Sequence, residues 1–267
     1  DDSTTDTADL PVIEGSAYRD TIDLSGQAQG HLVYGYGGHD FLTGSSGDDV
    51  LVGGDGDDEL RGGDGNDRFR YSGETLQSDN LVDGGAGFDT LQGGAGDDVL
   101  AIANFTNLEA VDAGAGTDVL RGSDYRESWD FSQMELTGLE LIDPRGGYNA
   151  VTGSQGDDTF ASGGGNVLDG QGGQDTVRYA LNQDDYTFQA NDDGSLTVAR
   201  TDGSGSSDTL TNMETLAFAD GTYDVSTGDT DTSSDDSTTD DTTTDDSTTD
   251  DSTTDTADLP VIEGSAY

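Results

Sequence analysis

The sequence predicts an all-β chain in which short strands and glycine turns repeat as a solenoid. Three observations predict it. A nine-residue unit recurs, with Asp in its sixth place and a large apolar residue in its eighth. Gly stands at 41 of 267 positions, about twice its usual share, and Asp far outnumbers Glu, so carboxylates and turn glycines are enriched together. Beyond Tyr179 the unit gives way to segments that alternate apolar and polar residues, as half-buried strands do.

The unit is clearest in four consecutive copies: "GYGGHDFLT" (Gly35–Thr43), "GSSGDDVLV" (Gly44–Val52), "GGDGDDELR" (Gly53–Arg61) and "GGDGNDRFR" (Gly62–Arg70). Their sixth places are Asp40, Asp49, Asp58 and Asp67; their eighth are Leu42, Leu51, Leu60 and Phe69. Later copies start at Gly84, Gly93, Ala113, Gly153 and Gly170 and carry Asp89, Asp98, Asp118, Asp158 and Asp175. Two weaker copies come first, Gly15–Asp23 and Gly26–Tyr34, the second with His31 in the aspartate's place. Each unit divides into a six-residue turn and a three-residue strand, whose central residue points to the core and its neighbours to water. Glycines permit positive φ and let turn carbonyls approach a ligand. Aspartates stacked one strand spacing apart, about 4.8 Å, repel unless neutralised. The partner for such carboxylates is a hard cation such as calcium.

The nonapeptides resemble the RTX, or hemolysin-type, calcium-binding repeat, G-G-x-G-x-D-x-U-x, over roughly Gly15 to Arg178. The resemblance implies a parallel β-roll, or β-helix, solenoid with calcium-binding glycine-rich turns and two nonapeptides to a coil. It implies several Ca2+ ions between turns one coil apart, Asp40 sharing one with Asp58 and Asp49 one with Asp67. Asp89, Asp98, Asp118, Asp158 and Asp175 are expected to act alike. Carbonyls of the first and third places, on Gly35, Gly37, Gly44, Ser46, Gly53, Asp55, Gly62 and Asp64, are expected to complete an oxygen shell of the kind calcium prefers over zinc or copper. Asp48, Asp57, Asp97 and Asp157, in the fifth place, are expected to face solvent or to sit beyond the direct ligands.

Between the runs, "LEAVD" (Leu108–Asp112) and "LELID" (Leu139–Asp143) share a pattern and predict wider coils without full calcium sites. Trp129, the sole tryptophan, is expected to cover an edge of the core. A hairpin is predicted with strands Tyr186–Gln189 and Leu196–Ala199 about a turn at Asp192-Asp193-Gly194. "SDTLTNMETLAFADGTYDV" (Ser207–Val225) resembles the ending common after RTX repeats, which makes residues 179–225 a C-terminal β cap over the exposed edge of the last coil. Residues 226–258, with the repeated "DDSTT", read as an acidic Asp/Ser/Thr linker, extended and solvated. The predicted domains are thus the end of a preceding linker (1–9), the RTX solenoid (10–178), the cap (179–225), the linker (226–258) and the start of a further unit (259–267).

The chain carries 57 acidic against 9 basic residues, all nine of them arginine, for a net charge of -48. That charge repels nucleic acid and anionic lipid. No stretch is apolar enough to insert in a membrane, and without cysteine there are neither disulfides nor thiolate metal sites. The only histidines, His31 and His39, are expected as exposed turn residues, and no H-E-x-x-H, G-x-S-x-G or G-x-x-x-x-G-K-[ST] motif occurs. No enzyme is expected. The fifth places form an irregular, charged series, which argues against an ice-binding face.

Asp1–Tyr18 and Asp250–Tyr267 are identical. The match predicts one period of a tandem array plus the start of the next. The expected function is a calcium-dependent extracellular structural repeat of a fibre, adhesin or biofilm matrix protein, folding on calcium after type I secretion to the medium or the bacterial cell surface. Its expected partners are neighbouring units of the same polymer, with a cell-surface or matrix component as a further candidate. The alternative is an RTX secretion and folding module attached to a type I secreted enzyme or toxin.

Overall fold

A computed structural model describes residues 9–71, 80–123, 126–145, 147–226 and 230–231. The end of the preceding linker (1–8), most of the acidic linker and the second copy of the junction segment (259–267) lie outside the described residues.

Strands adjacent in sequence lie on different sheets. Leu32–Gly37 pairs in parallel with Val12–Ser16 on one side and Val50–Asp55 on the other. The intervening strands Thr21–Asp23, Phe41–Thr43 and Glu59–Asp64 pair in parallel with one another. Each glycine turn therefore carries the chain from one sheet to the other, and two nonapeptides complete a coil. The fold is all-β, a parallel β-solenoid of the β-roll kind; the described residues form one seven-stranded, one twelve-stranded and one six-stranded sheet.

Register follows the eighth place of the unit. On the first sheet Ile13, Val33, Leu51, Phe69, Leu91, Val111 and Leu136 stand on consecutive rungs. On the second, Leu120, Ile142, Phe160, Val177 and Leu216 do the same. Most of these side chains are buried in one continuous core, and a fully buried Leu or Phe contributes about 1.5–3 kcal/mol relative to exposure. The weak copies at Gly15 and Gly26 join the same ladders, Ile22 opposite Leu42 and Val33 opposite Leu51.

One coil changes the architecture. Ser128–Asp130 opens the third sheet while Glu135–Thr137 is the last strand of the first, so one face of the roll is handed from one sheet to another. Aromatic rings fill the seam: Trp129 meets Phe131 edge-on at 6.0 Å between centroids, and Phe105 stacks on Phe131 at 5.3 Å. Trp129 is 2% exposed, so it lies within the core rather than merely over its edge. The third sheet then carries Val151, Leu168 and Leu210 opposite one another.

Both surviving sheets end in antiparallel strands. The hairpin forms, Tyr186–Ala190 against Leu196–Arg200, and Leu196–Arg200 also pairs with Asp208–Thr211. On the second sheet Gly221–Asp224 pairs with Thr215–Phe218, and the short strand Thr230–Asp231 pairs with Gly221–Asp224. No helix among the described residues is long and apolar enough to cross a membrane. Because the seam depends on one large side chain, Trp129→Ala is expected to cost about 3–5 kcal/mol, measured as a lowered midpoint of strand loss in denaturant; a cost under 1 kcal/mol would show that the seam is not packed as described.

Candidate metal centre

The sixth place of each unit forms a ladder. Asp40 N–H donates to Oδ1 of Asp58 and Asp49 N–H to Oδ1 of Asp67, each at 2.8 Å. Asp67 N–H donates to Asp89 and Asp98 N–H to Asp118, each at 2.7 Å, and Asp158 N–H donates to Asp175 at 2.8 Å. One carboxylate oxygen thus satisfies the backbone of the coil before it. The expected pairs Asp40/Asp58 and Asp49/Asp67 stand on consecutive rungs.

The second oxygen is the chemically interesting one. Oδ2 of Asp40, Asp67, Asp89, Asp118 and Asp175 is buried and has no hydrogen-bond partner among the described residues. It faces a small cradle against the first-place glycine. A Cβ on Gly62 would lie 2.1 Å from Oδ2 of Asp67 and 2.4 Å from the Gly84 carbonyl oxygen. A Cβ on Gly35 would lie 2.4 Å from Oδ2 of Asp40 and 2.5 Å from the Gly53 carbonyl oxygen. Gly62 and Gly35 are therefore glycine because a carboxylate and the next coil's carbonyl converge on the space a side chain would take. The fourth place is glycine for another reason. Gly56 sits at φ 131°, where a Cβ would meet the Gly38 carbonyl at 1.5 Å, a conformation other residues avoid.

Burial without a counter-charge disturbs these acids. Burial pushes Asp67 and Asp175 up to about 7, and Asp58 and Asp89 up to about 6, with neighbouring carboxylates adding to the effect and accepted N–H bonds opposing it. Asp40, Asp118 and Asp158 are raised too, again chiefly by burial. The donors that converge are anionic and carbonyl oxygens, which fit a hard cation. No group of three or more His, Cys, Asp or Glu side chains converges among the described residues, so a cation here would draw much of its shell from the backbone.

First-place carbonyls of Gly35, Gly53 and Gly62 each point into the cradle of the coil before. Third-place groups join the turns instead: the Asp55 carbonyl accepts the Gly38 N–H at 2.8 Å, Gly37 stands opposite Asp55, and Asp64 opposite Ala86. Ser46 donates its N–H to the Gln27 carbonyl at 3.0 Å. At Asp118 the first place is Ala113, so a methyl stands where other turns have glycine. Fifth-place side chains form their own outer ladder, Asp48 accepting from Asn66 N–H, Asp97 from Thr117 and Asp157 from Gln174. His39 is exposed, as expected. His31 is not: it is 5% exposed, because it holds a sixth place and its N–H donates to Oδ1 of Asp49 at 2.6 Å.

Sequence reasoning missed several members of the ladders. Glu109, Glu140 and Glu214 accept the N–H of Asp89, Asp118 and Asp175 at 2.8, 2.6 and 2.8 Å. Each closes a three-residue turn whose first residue is left-handed: Asn107 at φ 52°, Gly138 at 63° and Asn212 at 51°. The signal was present as "TNLE", "TGLE" and "TNME". The third sheet has its own ladder, in which Glu127, Asn149 and Asn166 donate N–H to Asn149, Asn166 and Asp208. All of these residues stand two places before a core residue.

A parallel solenoid whose turns present inward oxygens offers donors of the kind a hard cation takes. The RTX calcium-binding nonapeptide repeat matches in four copies, over residues 34–69, 76–101 and 145–166. Those segments are similar to RTX nonapeptide repeats, which bind calcium. The matched segments contain Asp40, Asp49, Asp58, Asp67, Asp89, Asp98 and Asp158 but neither Asp118 nor Asp175. Among solved structures, the extracellular lipase LipA from Serratia marcescens is similar at 17% identity over 69% of this chain and 43% of the lipase chain, with a TM-score of 0.18. That score carries no structural argument, and this chain spans less than half of the lipase's length. No curated protein matches.

Two outcomes follow from the cradle. Gly62→Ala is expected to destabilise the fold by about 1–3 kcal/mol through overpacking, whereas Gly26→Ala, which meets nothing within 4 Å, is expected to leave the melting temperature unchanged; equal effects would remove the cradle from the account. The second concerns pH. Acids raised in the fold to about 6–7 from an ordinary carboxylate value of 3.8 favour the calcium-free fold below pH ~4 and withdraw that stability as pH rises through 6–7. Calcium-depleted protein is therefore expected to melt higher at pH 5 than at pH 8, followed by circular dichroism, and the opposite slope would contradict it.

Proposed function

We propose that this chain is one period of a tandem extracellular array, a fibre, adhesin or matrix protein, in which calcium stiffens each roll and the acidic linker spaces one roll from the next. One observation carries the reading. Val12–Ser16, inside "LPVIEGSAY", is the opening strand of the roll and stands in register with Leu32–Gly37. Residues 259–267 repeat that segment letter for letter behind the acidic tract, which is what a following roll needs at its start. RTX repeats are typical of proteins exported by type I secretion, which supports an extracellular or cell-surface setting.

The sixth-place aspartates and first-place carbonyls are the proposed ligands. Calcium supplies the positive charge that the buried carboxylates lack. The chain's own residues do the rest: the ladder of N–H to carboxylate bonds sets the register, the apolar eighth places fill the core, and the fixed turns hold oxygens ready for the ion. Where calcium is scarce the carboxylates repel and the roll is disfavoured; where it is plentiful the coils close. A flexible linker of ~30 residues spans about 30 Å root-mean-square, enough to separate rolls without detaching them. The proposed role is mechanical and ionic rather than catalytic.

Stretching a chain of several periods between a surface and a probe tests this. In calcium, equal unfolding steps are expected, one per period, and chelation is expected to abolish them. Unequal steps, or steps indifferent to chelation, would overturn the reading in favour of a single export module.

A further inference from the structure

The sixth-place aspartates look alike in sequence but fall into two kinds. Four turns begin Gly-Ser, at Ser16, Ser45, Ser123 and Ser154, with an acid four residues after the serine. In each, the serine donates both its N–H and its hydroxyl to that acid. Ser45 reaches Oδ2 of Asp49 with its N–H at 2.6 Å and its hydroxyl at 2.9 Å. Ser154 reaches Oδ2 of Asp158 at 2.6 and 3.0 Å, and Ser16 reaches Oδ2 of Asp20 at 2.6 and 2.8 Å. Ser123 donates both groups to Oε1 of Glu127. The oxygen that would otherwise face the cradle is already engaged.

Backbone conformation at the second place separates these turns from the rest. It is at positive φ in the turns of Asp40, Asp67, Asp89, Asp118 and Asp175, on Tyr36 (74°), Gly63 (116°), Gly85 (107°), Gly114 (101°) and Gln171 (71°). In those turns Oδ2 has no hydrogen-bond partner among the described residues. Residue type alone does not decide it. Tyr36 and Gln171 hold the open conformation without being glycine, and Gly94, a glycine outside the positive-φ set, donates its N–H to Oδ2 of Asp98 at 2.6 Å. Serine resists positive φ, so a Gly-Ser start favours the closed form and adds a hydroxyl to it.

We propose that calcium goes to the open turns, among them those of Asp40, Asp67, Asp89, Asp118 and Asp175, and that the turns of Asp49, Asp98 and Asp158 satisfy their carboxylates internally and stay free of metal. The proposal rests on the calcium reading above and narrows it. An ion entering a closed turn would have to displace hydrogen bonds that Oδ2 already accepts, two each at Asp49 and Asp158; in an open turn Oδ2 has none to give up. Gly-Ser would then mark a metal-free turn in the sequence.

Asp→Asn substitution isolates the charge, because asparagine keeps the oxygen that accepts the N–H of the preceding coil. Asn149 and Asn166 already serve that way in this chain. Calcium bound to the whole chain is counted by native mass spectrometry, with folding checked by circular dichroism. Asp67→Asn and Asp175→Asn are each expected to lower the count by about one ion, and their neighbours on the same ladders, Asp49→Asn and Asp158→Asn, to leave it unchanged. Ser154→Gly, which removes the hydroxyl and permits positive φ, is expected to add about one ion. It keeps every carboxylate and so decides the matter if the Asn variants fail to fold. Loss of an ion from Asp49→Asn or Asp158→Asn, or no gain in Ser154→Gly, overturns the proposal. A wild-type chain that binds no calcium would instead remove the calcium reading itself.

Discussion

A parallel solenoid has no hairpin to set its register, so something must fix each coil against the next. Here that constraint is a carboxylate or amide oxygen in the sixth place accepting the backbone N–H of the sixth place one coil earlier. The bond fixes where each strand begins, and the core residue two positions later is aligned as a consequence. The same constraint creates the electrostatic problem. Anchoring the ladder from inside the turn buries one carboxylate per rung, and burial raises those acids far above their usual range. Register and charge are one decision, made by one residue per turn.

The rest of the turn accommodates that residue. First-place glycines leave room for its second oxygen, and fourth-place glycines let consecutive coils approach. The sixth place is Asp in most six-residue turns, Glu127 being an exception, and Glu where the turn has three, at Glu109, Glu140 and Glu214. The longer side chain makes up for the shorter turn and reaches the same N–H. In the third sheet the ladder includes the neutral members Asn149 and Asn166, which keep the register and drop the charge. The chain thus uses three solutions to one geometric requirement, and they differ in how much they need a cation.

The regular coils were legible in the sequence because their period is strict: sixth-place Asp and eighth-place apolar residues are visible without coordinates. The hairpin about Asp192-Asp193-Gly194 was legible from its turn chemistry. The seam at Trp129 was not, because no local pattern states that a strand opens a new sheet; that depends on which rung it meets. His31 was misjudged because turn membership was equated with exposure, whereas the sixth place is the one turn position that points inward. The Glu members escaped because their turns are short, so they fall out of phase with a nine-residue count while keeping their distance to the core residue. Counting back two places from each core residue, rather than forward from each glycine, would have found them.

The two ends of the roll are not equivalent, and this bears on how units follow one another. At the C-terminal end each sheet finishes in antiparallel strands, Leu196–Arg200 and Tyr186–Ala190 on one and Gly221–Asp224 on the other. Such strands do not continue a parallel coil, so the parallel ladder stops there among the described residues. At the other end Val12–Ser16 and Thr21–Asp23 are the outermost strands among the described residues of their sheets, and Val12 is 52% exposed. A second roll therefore cannot fuse with the first by simply continuing its sheets. The repeated segment 259–267 behind the acidic tract therefore fits the proposed array better as a chain of beads than as one long solenoid.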